Sequence, residues 1–279
     1  MMSRPRGRIP YEVFGFSTGK NLNRTEVKAI DNQHCRFLNS ECTKFRKSNS
    51  EVKIGSCVLG HKEQPVIICP ERFKEPIVFK TIEDRYFSGR KAIWVPEVSL
   101  GDRGNIDYVA VLPNGNRELD NFVCVEIQAN GTTGSPWPAI EHFRAKHTMK
   151  GVPPATYGFN WANEYTKTLT QQLLKKGTLI EKWNKKIVVV IQDSGIDYIK
   201  KQGRGVRDYD ENDSIHFMPF IMNYKRNKWR LSKSHREYSS NMDGIIQLLA
   251  SESEDPVSME TFQQQILEKG EKSSLWPWC

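Results

Sequence analysis

The sequence has no run of about 18 apolar residues, the length that a membrane-crossing helix needs. It also has no long block of one charge sign. With 27% charged residues and a net charge of +8, it reads as a folded, soluble chain rather than a disordered basic tail. Met1 to Gly7 is basic but lacks the apolar core of a signal peptide. The expectation is an intracellular protein in a reducing compartment, where structural disulfides do not account for its six cysteines. The surplus of Lys and Arg suits a nucleic-acid binder, but it is equally common in proteins that bind nothing acidic, so charge alone does not choose. A chain of 279 residues can bury an adequate core and hold one medium domain plus a small appendage.

Four of the cysteines, Cys35, Cys42, Cys57 and Cys69, fall close together, while Cys124 and Cys279 stand apart. Thiolates held in a tetrahedron bind zinc or iron strongly and can fold a segment too small for its own core. The residues between them are polar and turn-rich, with short apolar stretches such as Val66-Ile67-Ile68. The sequence lacks paired CxxC knuckles: six, fourteen and eleven residues separate the four cysteines. A metal site and a set of ordinary buried thiols are both compatible with that spacing, and a clustered set in a reducing compartment favours metal. Ligand type does not choose between iron and zinc. His34 and His61 are spare ligands or ordinary surface histidines.

The pattern changes from Trp94 onward. Asn105 to Leu112 is rich in β-branched and apolar residues and predicts a buried strand. Pro113-Asn114-Gly115-Asn116 is turn chemistry, and Phe122 to Gln128 predicts a second strand that pairs with the first as a hairpin. Alternation puts Phe122, Cys124, Glu126 and Gln128 on one face, with Val123, Val125 and Ile127 on the other. A carboxylate in so apolar a strand is costly to bury unless it is paired or binds metal. If Asp107 lies beside Glu126, a divalent cation neutralises both, and sites with one or two carboxylates are typical of magnesium. Two acids at solvated strand ends would give the same spacing.

Asp107 followed after a hairpin by Glu126-Ile127-Gln128 resembles the PD-(D/E)XK nuclease signature with glutamine in place of lysine. The stretch FVCVEIQANGTTGS, from Phe122 to Ser135, is similar to the NotI/EagI-type restriction endonucleases. So, in order and approximate position, are Glu12-Val13-Phe14-Gly15, Cys35 to Cys42, and Val66 to Arg72. The resemblance covers Glu12 to Asp193 and is weakest beyond position 200. It implies an α/β fold: a PD-(D/E)XK core with a mixed central sheet flanked by helices, plus a small N-terminal four-cysteine metal-binding segment. Residues 1–75 would form that segment and 76–279 the catalytic and DNA-binding domain. The implied function is a bacterial, cytoplasmic type II restriction endonuclease of a restriction-modification system. It would be a homodimer that cuts a palindromic, GC-rich site in double-stranded DNA, with no membrane and no small-molecule substrate as partner. Asp107, Glu126 and Gln128 would be catalytic. Asp107, Glu126 and the Ile127 carbonyl would hold Mg²⁺, and Cys35, Cys42, Cys57 and Cys69 would hold a structural iron, with zinc as the alternative. Two rival readings are a non-catalytic, metal-stabilised DNA-binding protein and a structure-specific nuclease using the same centre.

Further along, Glu164 to Lys176 predicts a helix capped by Gly177, and Lys186 to Ile191 a strand buried on both faces. Ser214 to Tyr224 predicts another strand, and Met242 to Ala250 and Met259 to Lys269 predict helices. Glu97 is either a further acid for the centre or a solvated surface residue. Arg144, Lys146, His147, Lys150, Lys167, Lys175, Lys176, Lys200, Lys201, Arg204 and Arg207 each read as surface residues that together could neutralise phosphates. Gly203 to Arg207 could deliver an arginine to guanine, and Thr132 to Ser135 could meet a backbone phosphate.

Overall fold

A computed structural model describes residues 7–46, 49–112, 119, 121–203, 205–250 and 258–270. The turn at Pro113–Asn116, Arg204, Trp276, Trp278 and Cys279 lie outside the described residues.

The protein is built on a mixed central sheet. Across the sheet the strands run Arg207–Asp208, Tyr238–Ser240, Ile215–Lys225, Ile187–Gln192, Asn121–Gln128, Asn105–Leu112 and Ile93–Ser99, with Lys228–Lys233 pairing beside Ile215–Lys225. The three central strands are mutually parallel, with Glu126 opposite Val189 and Val189 opposite Phe217. The strand pairs outside them are antiparallel. Parallel strands in the middle of a sheet are covered on both faces, which is why Ile-Val-Val-Val-Ile-Gln is buried throughout. The two long strands of the hairpin fall where the apolar pattern predicts them.

Alternation along Asn121–Gln128 sorts its side chains into two layers. Val123 and Val125 join a core with Tyr11, Val58, Ile67 and Phe73 from the N-terminal part. Cys124 joins Leu169, Leu173, Ile180, Ile196 and Ile245 from the helices on the other face.

The N-terminal part contains more regular structure than its polar sequence suggests. Phe16–Ser17, Pro10–Val13, Ser56–His61 and Gln64–Ile67 form a four-stranded antiparallel sheet. Its joins to the central sheet are polar as well as apolar. Ile67 donates its N–H to Gln192 Oε1 (2.8 Å), and its carbonyl accepts from the Asn130 N–H (2.9 Å). Gln192 Nε2 donates to the Pro65 carbonyl at 2.6 Å. Arg72, fully buried just after Cys69, pairs with Glu12 at 2.7 Å and Glu75 at 2.5 Å, its guanidinium 4.8 Å from the Phe37 ring centre.

The predicted helix after the hairpin differs from its expected form in two ways. It starts with a widely wound stretch, Ala162–Leu169, where Thr170 Oγ1 donates to the Tyr165 carbonyl five residues back. It then continues as an α-helix through Thr170–Lys182, so Gly177 is not its cap. Gly177 is a packing point instead: a Cβ there would lie 2.8 Å from Met242 Sδ. Absence of a side chain lets this helix approach Met242–Leu249 closely. Among the described residues, no helix is long and apolar enough to cross a membrane.

Candidate active site

The Asn105–Leu112 and Asn121–Gln128 ladder runs from Leu112 opposite Asn121 to Tyr108 opposite Val125. At the end of that ladder, the Asp107 carboxylate accepts the Ile127 N–H at 2.7 Å. This hydrogen bond fixes Asp107 beside the Glu126 strand. Glu126 is only 3% exposed, on the helix face with Cys124 as alternation predicts. Asp107, Glu126, Ile127 and Gln128 all line one cleft of about 560 Å³, which also takes in Lys44, Arg103 and Lys175.

Both acids resist ionisation. Burial raises the Asp107 pKa above the ordinary range, with Glu97 adding to the effect; the Ile127 amide and Lys176 oppose it. Glu126 is pushed up to about 7, chiefly by burial and then by the neighbouring Asp107 charge. Two half-desolvated carboxylates in one cleft, one of them raised by the other's charge, are what a divalent cation relieves. Magnesium needs only one or two protein carboxylates, its other ligands being water and phosphate oxygens, so this donor set fits it. Among the described residues, no group of three or more His, Cys, Asp or Glu side chains is arranged to hold a metal ion.

Gln128 is buried, and its Nε2 donates to the Ala129 carbonyl at 2.8 Å. Glu97 stands at the rim rather than in the cleft. It is exposed, its backbone is left-handed (φ 52°), and it accepts a long 3.5 Å contact from Asn105 Nδ2. Its charge nevertheless reaches both acids.

Lys176 is the residue that the sequence reading misplaced. Grouped there with surface cations, it is 6% exposed, and its Nζ lies 2.8 Å from both oxygens of Glu126. The signal was present in the sequence. Leu169, Leu173, Lys176 and Ile180 follow helical spacing, so Lys176 falls on the apolar stripe.

Other predicted cations have structural partners. Arg144 donates to the Lys53 carbonyl (3.0 Å) and Gln33 Oε1 (3.2 Å), and Arg207 pairs with Asp213. Thr132–Thr133 forms a short ladder with Gly158–Phe159, and Thr132 to Ser135 contributes Thr132, Gly134 and Ser135 to a neighbouring cleft with Lys44, Arg46 and Trp137.

All four clustered cysteines are buried. Their thiols are neighbours: Cys57 and Cys69 share a hydrogen bond, and charge on Cys69 is felt at Cys35 and Cys42. The Cys69 thiol is lowered to about 7, first by its bond with Cys57, and backbone hydrogen bonding at Glu71 adds to this. Backbone hydrogen bonds at Leu38 and Phe37 likewise favour a Cys35 thiolate, although burial raises its pKa overall. Buried sulfurs suit a thiophilic ion in donor chemistry, but among the described residues no three or more of these thiols are arranged to hold one ion. His61 instead packs edge-on against Phe159, with ring centres 5.2 Å apart.

No curated protein matches the chain. The family model for restriction endonuclease NotI matches residues 27–231. That span contains the four cysteines, the acid pair and Lys176, and it runs further toward the C-terminus than the motifs alone suggest. It covers well over half of the sequence, so the chain belongs to the NotI restriction endonuclease family, type II site-specific deoxyribonucleases that cleave double-stranded DNA.

Proposed function

We propose that the chain hydrolyses phosphodiester bonds at a specific, palindromic, GC-rich duplex site, with Asp107, Glu126 and Gln128 as catalytic residues on a PD-(D/E)XK core. The observation that carries this reading is the acid pair: Asp107 and Glu126 share a cleft, and the Asp107 charge raises the cost of ionising the buried Glu126. Asp107 and Glu126 would hold Mg²⁺, with the Ile127 carbonyl as a third protein ligand. Bound there, magnesium supplies positive charge against the phosphate and lowers the pKa of the attacking water. The Ile127 N–H keeps Asp107 aimed at that position. Gln128 has no charge to offer; turned from the Ala129 carbonyl, its amide can orient water or a phosphate oxygen.

Residues 1–75 would form the four-cysteine part and 76–279 the catalytic and DNA-binding part. Cys35, Cys42, Cys57 and Cys69 would hold a structural iron, with zinc equally suited to four thiolates. Four sulfur ligands leave no open position for chemistry. A palindromic site calls for a homodimer, whose two-fold axis would match that of the DNA.

Plasmid digestion with Mg²⁺ and with EDTA tests the reading. Discrete fragments with Mg²⁺ alone are expected, together with loss of cutting but not of specific DNA binding in Asp107→Ala and Glu126→Ala. Binding without cutting under any divalent ion would favour a non-catalytic DNA-binding protein, and heterogeneous fragments a structure-specific nuclease. Full cleavage by Glu126→Ala would remove the assignment.

A further inference from the structure

The motif position that normally carries a lysine holds Gln128, and yet a lysine is present at the centre. It comes from a different element. Lys176 reaches Glu126 from the helix Thr170–Lys182, its Nζ 2.8 Å from Oε1 and 2.8 Å from Oε2. Its charge also reaches Asp107, where it opposes protonation.

The helix is held so that this lysine points inward. The Lys175 carbonyl accepts from Arg103 Nη1 at 2.7 Å, which ties the helix to the loop before the Asp107 strand. Gly177, on the other side of Lys176, sits against Met242 where a Cβ would not fit. The wide winding of Ala162–Leu169 immediately precedes this stretch, and such windings are frequent at functional sites.

A structural role alone explains the pair poorly. Burying an ammonium and a carboxylate costs several kcal/mol per ion, and apolar residues of similar volume often stabilise a fold as well or better. An ammonium also carries three donors, of which Glu126 takes two. Lys176 lines the same cleft as Asp107 and Gln128, the place where a phosphate would lie. Both oxygens that the ammonium occupies are also those a divalent ion would use.

We propose that Lys176 is the active centre's own cation, delivered from the helix instead of from the Gln128 position. It exchanges with divalent metal for the Glu126 carboxylate and then faces the scissile phosphate. This rests on the metal-site reading of Asp107 and Glu126. It predicts two effects of opposite sign: removing the ammonium removes a competitor for metal, and it also removes charge needed for cleavage.

The test uses the full chain carrying Lys176→Met, with Lys176→Gln and Lys176→Arg beside it. Manganese binding to the DNA-free protein is measured by electron paramagnetic resonance at mildly alkaline pH. Single-turnover cleavage is measured at saturating manganese. Lys176→Met and Lys176→Gln are expected to bind manganese roughly tenfold more tightly and to cleave about a hundredfold more slowly. Lys176→Arg should recover part of the rate. A residue that merely holds the fold would not tighten metal binding when removed. Unchanged or weaker manganese affinity, or an unchanged rate, overturns the proposal. If Lys176→Met does not fold, Lys176→Gln supplies the same two readings, and failure of both to fold while Lys176→Arg behaves as wild type in affinity and rate assigns Lys176 to stability and overturns it. Asp107→Ala in parallel separates the two levels: if it cleaves normally, the metal-site reading has failed. If it is inactive while the Lys176 variants behave as wild type, only the role of Lys176 has.

Discussion

The acid pair and the cysteine cluster are both buried, and they are held in opposite ways. Asp107 and Glu126 sit on two eight-residue strands, and the Glu126 strand is itself one of the parallel strands at the sheet's centre. Backbone hydrogen bonds and two apolar layers fix them before any ion arrives. Cys35 lies on a two-residue strand paired with Ser40–Glu41, and Cys42 follows that pair directly. Cys57 lies on a longer strand, and Cys69 just precedes the short turn Pro70–Phe73. The first site is made by the fold, and the second, on the proposed reading, would help to make it. A metal at the acid pair should therefore matter to chemistry and little to folding, and a metal at the thiols should do the reverse.

The largest effect expected is on catalysis. Glu126→Ala should reduce cleavage by at least about a thousandfold, as loss of a metal ligand at a hydrolytic site does, and it should also lower the melting temperature, because it leaves the buried Lys176 ammonium without its partner. Magnesium added to the wild-type protein should leave its melting temperature nearly unchanged, and a large rise would erase the distinction between the two sites. Next comes Cys69→Ser, expected to release the bound metal and to melt the protein tens of degrees earlier, read by metal analysis and calorimetry together. Loss of metal with an unchanged melting curve would mean that the thiols stabilise nothing.

Arg72→Met tests the join between the regions. It leaves Glu12 buried without its partner and should cost about 3–5 kcal/mol in denaturant unfolding. The smallest effect is a pH slope. Glu126 binds its proton up to about 7 in the folded chain against an ordinary 4.5. Between those values the native state holds the proton and the unfolded state has lost it, so stability falls as pH rises through the window. The metal-free protein should lose a few degrees of melting temperature from that group, and Glu126→Gln should flatten the slope.

Much of the central sheet was legible in the sequence because its signals are local. The strand at Asn105–Leu112 is rich in apolar and β-branched residues, and Ile187–Gln192 is nearly all apolar. Alternation placed Glu126 on the same face as Cys124, and the structure puts it there. Lys176 was overlooked because a lysine is exposed so often that its place on an apolar stripe was discounted. Gly177 was read as a cap for a similar reason: glycine after a lysine pair is usual cap chemistry, whereas its packing against Met242 depends on a helix more than sixty residues away. The N-terminal sheet could not be seen locally at all, since Pro10–Val13 pairs with Ser56–His61 across the intervening cysteines.

The clasp on Ile67 has a mechanical consequence. Its N–H is taken by Gln192 and its carbonyl by the Asn130 amide, two residues after Gln128. Ile68 and Lys44 on one side of the cleft, and Gln128 and Asn130 on the other, are thus tied together through the backbone of Ile67. A displacement of Ile67 would therefore move both walls of the cleft together, so the N-terminal sheet and the acid-bearing strand act on the opening as one unit.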